Sequence, residues 1–270
     1  VSRRRIELKT PGQIEAMRAS GLVTAAALAA LEAAVVPGAK AKYLDDLARD
    51  IIRQHGAEPS FLGYRGFPAS ICVSINEVVV HGIPEGQVIH EGDLVSVDCG
   101  AVLDGWHSDA AFTVVAGEGS AVAECLNQVA RQALWDGLAA FAKAKHLGQV
   151  GAAIEQSVKA SEPTFSVVEE YTGHGIGTAM HMEPEVPNVA RRSRSPRVSP
   201  GLVVAIEPMV VAQAIATSLD SDGWTVRTVD GGLAAHWEHT VARTAAGIWV
   251  LTAPDGGASE MQARGVNVGP

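Results

Sequence analysis

The chain has 270 residues, 47% of them hydrophobic and 19% charged, and a net charge of −9. That composition excludes a disordered chain, allows a substantial core, and disfavours nucleic acid as the main partner. The one uninterrupted basic run, Arg3-Arg4-Arg5, reads as a solvated arm within residues 1–9, and three scattered cysteines without a Cys-x-x-Cys pair read as thiols of a reducing, cytoplasmic protein.

Thr10-Pro11 opens the first helix, with Thr as N-cap and Pro at the first helical position. Ile14, Met17, Gly21, Thr24, Leu28, Leu31 and Val35 recur at spacings of three and four, a single helix face ended by Pro37-Gly38. The alanine-rich run 21–36 is short for a membrane span and is broken by Glu32, so it predicts a soluble helix and no membrane partner. A second helix is expected over 41–55, with Tyr43, Leu44, Leu47, Ile51 and Ile52 inward. From Phe61 to Pro84 a Gly- and Pro-punctuated loop with aromatics gives way to strand-like residues and then His81-Gly82.

The stretch 95–115 holds Asp98 and Asp109 on either side of Asp104-Gly105. Asp-Gly between two β-rich runs calls for a two-residue hairpin turn, in which both central residues take positive φ. Such a turn opposes Leu103 with Trp106 and Asp98 with Ala111. Alternation then puts Asp98, His107, Asp109 and Ala111 on one face, with the two aspartates as diagonal neighbours roughly 7–8 Å apart. Val95, Val97, Cys99, Ala101 and Leu103 form the other, core-like face. Two carboxylates leaning together repel, and each loses water. A cation between them is the simplest remedy, so a metal site is expected here.

Helices are expected over 120–145 and 149–161, then a strand over 165–171. Gly173-His-Gly-Ile-Gly177 follows, with a second histidine at His181. No Gly-Lys-Ser/Thr is present to make it a phosphate loop. Leu202–Val211 reads as an apolar strand carrying Glu207, and Ala234–Ala242 as another carrying Glu238. A carboxylate inside an apolar strand is costly unless paired or metal-bound. Asp222-Gly223-Trp224 marks a tight turn, and residues 253–270 read as a loose, flexible tail. Helices alternate with antiparallel strand pairs and no linker interrupts 10–252, so one α+β domain is expected.

Six segments together are specific: Ser74-Ile-Asn-Glu-Val-Val-Val-His-Gly-Ile-Pro84, Val97-Asp-Cys-Gly100, His107-Ser-Asp-Ala110, Gly173-His-Gly-Ile-Gly177, Ala205-Ile-Glu-Pro-Met209 and Trp237-Glu-His-Thr240. Their order and content resemble the methionine aminopeptidases of the short, bacterial type I form, over about residues 10–252. The resemblance implies a pita-bread fold: antiparallel sheet covered by helices, in two pseudo-twofold α+β halves with a dinuclear metal site between them. It implies Asp98, Asp109, His174, Glu207 and Glu238 as ligands of two divalent ions (Co, Mn, Fe or Zn). Asp109 and Glu238 would bridge both ions, Asp98 would chelate one, and His174 and Glu207 would hold the other. His81 and His181 would be unliganded catalytic histidines, and Glu207 would also move the proton. The implied reaction removes N-terminal methionine from peptides and nascent chains with a small second residue, through a metal-activated hydroxide, by a cytoplasmic monomer at the ribosome. By position in the motifs, Tyr64, Phe67, Cys72, Met180 and Trp224 would hold the methionine side chain. The family often has Tyr where Phe67 stands and Phe where Met180 stands, departures that touch pocket packing and leave the ligands intact. Cys72 keeps a competing reading as a small buried hydrophobe. Cys99 reads as core and His107 as structural.

Two other readings stay open. Aminopeptidase P and prolidase share the five-ligand pattern but usually carry a large N-terminal domain, for which the residues before the first helix leave no room. Non-enzymatic pita-bread proteins that bind ribosomes or chromatin proteins have lost ligands, whereas all five positions here hold ligand-capable side chains. The type II enzymes insert a helical subdomain late in the fold, where only 26 positions (207 − 181) separate His181 from Glu207.

Overall fold

The computed structural model describes residues 6–191 and 195–270, so the Arg3-Arg4-Arg5 run lies outside the described residues. Helix α1 (Pro11–Ala34) begins with a capping box: the Thr10 side chain accepts from the Gln13 N–H, and the Gln13 side chain accepts from the Thr10 N–H. Its expected face is buried from Ile14 to Val35. The helix is long and apolar enough to cross a membrane by composition alone, but its polar residues tie it into the protein. The Arg18 guanidinium donates to the carbonyls of Val250, Leu251, Ala253 and Pro254. Ser20 and Thr24 bond the Ser108 hydroxyl.

Helix α2 (Ala41–Gln54) buries Ala41, Leu44, Ala48 and Ile52, with Leu47 and Ile51 half-buried. Tyr43, expected inward, is 55% exposed, because the inward stripe runs through Ala41 and Leu44 and leaves position 43 on the outer side.

Strands Leu94–Leu103 and Trp106–Val115 form the expected hairpin, with Leu103 opposite Trp106 and Asp98 opposite Ala111. Asp104 and Gly105 have φ of 50° and 79°, the two positive values that the turn requires. Val95, Val97, Cys99 and Ala101 are fully buried beneath the hairpin against α1 and α2. The hairpin lies in a nine-stranded sheet, flanked by Glu58–Pro59 and Ile71–Ile75 on one side and Glu238–Arg243 on the other. Beyond Glu238–Arg243 come Val203–Ile206, Gly173–Gly175 and Met182–Val186.

Helices α3 (Ala121–Lys143) and α4 (Gly148–Lys159) cover the second half of the sheet around Leu126, Leu134, Leu138, Phe141 and Ile154. Each helix pair therefore has its own core, and Trp237 packs against both.

Three expectations change. Only Ser166–Val167 of the run 165–171 is strand. The two apolar strands carrying glutamates are each split. Val203–Ile206 belongs to the large sheet and Met209–Val211 to a three-stranded one, because Pro208 lacks the N–H that would continue a ladder. Ala234–His236 and Glu238–Arg243 divide in the same way at Trp237. The stretch 253–270 is not a loose tail: helix α5 (Ala258–Ala263) buries Met261, Val266 is buried beside it, and Val268 bridges to Ile248. The burial of Met261 and Val266 outweighs its glycines.

Candidate metal centre and substrate pocket

The site assembles on one register row. Cys72 is opposite Asp98, Asp98 opposite Ala111, and Ala111 opposite Glu238, so four adjacent strands point these side chains to one face. Ala111 carries only a methyl group, which leaves the space between Asp98 and Glu238 open. Asp109, two residues before Ala111, leans into the same space. Its backbone N–H and C=O both bond the Thr240 hydroxyl, which fixes its position.

Glu207 and Glu238 stand where the chain crosses from sheet to sheet. The two crossings are joined by the Trp237 backbone N–H donating to the Pro208 carbonyl, and the Asn188 side-chain amide donates to the Glu207 carbonyl at 3.0 Å. His174 enters from Gly173–Gly175. A Cβ at Gly173 would lie 2.3 Å from the Ala205 carbonyl oxygen, and one at Gly175 would lie 2.2 Å from that of Glu183. The glycines around His174 thus permit close strand packing.

The His174 Nδ1–H donates to the Gly175 carbonyl at 3.0 Å, which turns Nε2 toward the carboxylates. That nitrogen lies 3.6 Å from Glu207 Oε1 and 4.0 Å from Asp109 Oδ2. Two groups of potential ligand atoms result, Asp109–His174–Glu238 and Glu207–His236–Glu238, each with its three atoms within 4.8 Å of one another. Asp98 lies outside both groups and reaches the same space from the neighbouring strand, opposite Ala111.

Burial is severe for so much charge. Desolvation pushes the Asp98 carboxyl up to about 7. Burial and the neighbouring carboxylates push Asp109, Glu207 and Glu238 well above the usual carboxylate range. Burial holds the His174 imidazole down at about 4 and His181 at about 3, with the nearby His174 adding to the latter. Asp98 Oδ1, Asp109 Oδ1, Glu238 Oε1 and His236 Nε2 are buried without a hydrogen-bond partner among the described residues. Buried acceptors facing one another in this way fit a cation, and oxygen donors with imidazole suit a first-row divalent metal.

Asp98, Asp109, His174, Glu207 and Glu238 line one end of a cavity of about 190 Å³. The other end is aromatic and sulfur-rich. Phe61, Phe67, Cys72 and Met180 cluster there with Tyr64 and Trp224, and Phe67 meets Trp224 edge to face at 5.1 Å. His181 lies between the ends, stacked on Tyr64 at 5.3 Å and tilted against His174 at 4.1 Å. His81 sits edge-on to Trp224 and Tyr171 at the left-handed φ of 60°, a strained conformation for a residue with a Cβ.

All twelve residues singled out in the sequence line this cavity, together with Phe61 and Arg65. Sequence reasoning missed those two and His236. Phe61 and Arg65 stood in the same aromatic loop as Tyr64 and Phe67. The only signal at His236 was its place two residues before Glu238. The His107 ring bonds Ser60 through Nδ1, and the His107 backbone N–H donates to the Gly177 carbonyl, so this residue ties the hairpin to the His174 loop.

A profile of metallopeptidase family M24 matches residues 15–245. Methionine aminopeptidase 1 of Mycobacterium tuberculosis (strain CDC 1551 / Oshkosh) is 49% identical over 255 residues, 93% of this chain and 96% of that protein. Methionine aminopeptidase 1 of Bacillus subtilis (strain 168) is 42% identical over 244 residues, 90% of this chain and 98% of that one. The crystal structure of methionine aminopeptidase from Thermotoga maritima matches with a TM-score of 0.87 at 38% identity, covering 92% of this chain and 99% of that one. Prolidase from Pyrococcus furiosus matches with a TM-score of 0.73 at 19% identity, covering 91% of this chain and 65% of that one, a likeness of fold alone.

Proposed function

The chain belongs to metallopeptidase family M24 and has its pita-bread fold, and from that premise we propose that it is a metal-dependent methionyl aminopeptidase. It removes N-terminal methionine from peptides and nascent chains whose second residue is small. The observation that carries this reading is the single cavity that joins five ligand-capable side chains, three buried and two half-buried, to an apolar, sulfur-bearing pocket. The relatives named above at more than 35% identity support the choice over a proline-specific peptidase, and the five ligand-capable side chains support it over a non-enzymatic binding protein.

Asp98, Asp109, His174, Glu207 and Glu238 would hold two divalent ions. When bound, such ions polarise a carbonyl oxygen and lower the pKa of water. The protein's residues do the rest. Glu207 is the carboxylate placed to take a proton from attacking water and to hand it to the leaving amine. His181 is held neutral and fixed by Tyr64 and His174, so it offers one N–H and one lone pair to the scissile peptide. His81, also kept neutral by burial, steadies the oxygen that gains charge as the carbonyl is attacked. Phe67, Tyr64, Trp224, Cys72 and Met180 surround an unbranched thioether, with sulfur–aromatic contacts of ~0.3–1.5 kcal/mol. The enzyme works as a cytoplasmic monomer on chains emerging from the ribosome.

A peptide assay tests the reading. Hydrolysis of Met-Ala-Xaa should cease in chelator and return with Mn or Co. Cleavage of Xaa-Pro substrates in preference to Met-Ala-Xaa would overturn it in favour of a proline peptidase. No cleavage under any metal, with ribosome binding retained, would point to a binding protein.

A further inference from the structure

His236 is the one imidazole at the carboxylate cluster that the mechanism above leaves unused. Its ring is 3% exposed, and its Nε2 lies 3.8 Å from Glu238 Oε2 and 4.0 Å from Glu207 Oε2. Those separations are too long for hydrogen bonds, and Nε2 has no partner among the described residues. A buried nitrogen left without a partner costs the fold its lost hydration, so it calls for an explanation.

The backbone holding the ring is built with care. The His236 N–H reaches both the Ser96 and Thr113 hydroxyls, the Thr113 hydroxyl donates to the His236 carbonyl, and the residue pairs with Met209 across the strand. The ring is therefore aimed at the gap between Glu207 and Glu238 by a fixed frame. The three ligand atoms of Glu207, His236 and Glu238 are mutually within 4.8 Å, the same spacing that gathers Asp109, His174 and Glu238. The two triads share Glu238 and each contains one imidazole.

We infer that His236 is a metal-ligand donor, so that this centre offers imidazole on both sides of Glu238. The inference rests on the metal reading given above and adds a residue to it. The chemistry has a consequence for metal choice. Imidazole suits Zn, Fe, Co or Ni, whereas an all-oxygen pocket suits Mn or Mg. A second imidazole tilts this centre away from Mn.

Metal binding tests the assignment without reference to turnover. The metal-free wild type and His236→Gln, which keeps polarity and approximate volume, are titrated with Co(II) and with Mn(II) by calorimetry, and the Co(II) absorption spectrum is recorded. Affinity for one Co(II) equivalent should fall at least tenfold in the variant, with a smaller loss for Mn(II) and an altered visible spectrum. Matching Co(II) isotherms and spectra in the two proteins would overturn the inference. Should the variant fold poorly, proton NMR of Co(II)-loaded wild type decides the matter: hyperfine-shifted signals from two histidines support the assignment, and signals from His174 alone refute it. A wild type that takes up neither metal would overturn the metal reading itself, whereas a wild type that binds Co(II) through His174 alone would overturn only the part assigned to His236.

Discussion

Replacing Asp98 by Asn in the metal-free protein isolates the electrostatic cost of the carboxylate cluster. Burial raises the Asp98 pKa from 3.8 to about 7. A carboxyl raised on folding favours the folded state below its unfolded pKa, and that advantage is lost as pH climbs through the folded pKa. At about 1.4 kcal/mol per pH unit, ionisation of this group costs the fold roughly 2 kcal/mol by pH 5 and roughly 4 kcal/mol by pH 8. Asn bears no such penalty. In chelator, the stability of Asp98→Asn relative to wild type should therefore rise by roughly 3 kcal/mol between pH 5 and pH 8, or about 5 °C in melting temperature for a chain of this size. Added divalent cation should reverse the order, because it binds the folded wild type more tightly and stabilises it by mass action. Thermal denaturation of both proteins, with and without metal, reads every term. A gap that does not widen with pH in chelator, or a variant that gains as much from metal as wild type, would refute the reasoning.

Four further outcomes are expected. Glu207→Gln should keep its fold and lose about 10²–10⁴ in kcat, the range for a lost general base; near-normal kcat would remove Glu207 from proton transfer. Exchanging the substrate methionine for norleucine should lower kcat/KM by about 2- to 10-fold, the equivalent of a ~0.3–1.5 kcal/mol sulfur–aromatic contact; equal rates would mean the pocket reads shape alone. Gly175→Ala places a Cβ 2.2 Å from the Glu183 carbonyl oxygen, so it should displace His174, lower the melting temperature and weaken metal binding at least tenfold by calorimetry. Arg18→Met strips the donor from four carbonyls of the C-terminal stretch and should cost about 3–5 kcal/mol in urea unfolding, with kcat little changed.

The parts of the molecule legible in the sequence are those set by local chemistry. Thr10-Pro11 dictates a helix start, and Asp104-Gly105 dictates a turn whose register places Asp98 opposite Ala111. The resemblance of the motifs then implied a cluster whose members lie from 11 (109 − 98) to 140 (238 − 98) residues apart. What escaped were features decided by the sheets as wholes. Leu202–Val211 has the composition of a single strand, yet it serves two sheets because Pro208 cannot donate to a ladder. The Gly-rich end looked like a tail because its apolar residues, Met261 and Val266, are sparse, and only the partner surface shows that they are buried. His236 escaped for a related reason. Alternation ties it to Glu238 only along an unbroken strand, and the strand breaks at Trp237 between them.

Those breaks also explain why the centre lies where it does. At a crossing, the chain leaves one sheet before it joins the next, and a gap opens between the two layers. Glu207 and Glu238 both occupy that position, and the crossings are held together by the Trp237–Pro208 bond. Asn188 supplies a donor to the Glu207 carbonyl where no strand neighbour does. The hairpin supplies Asp98 and Asp109 from the opposite half, so the cluster needs both halves of the fold in register.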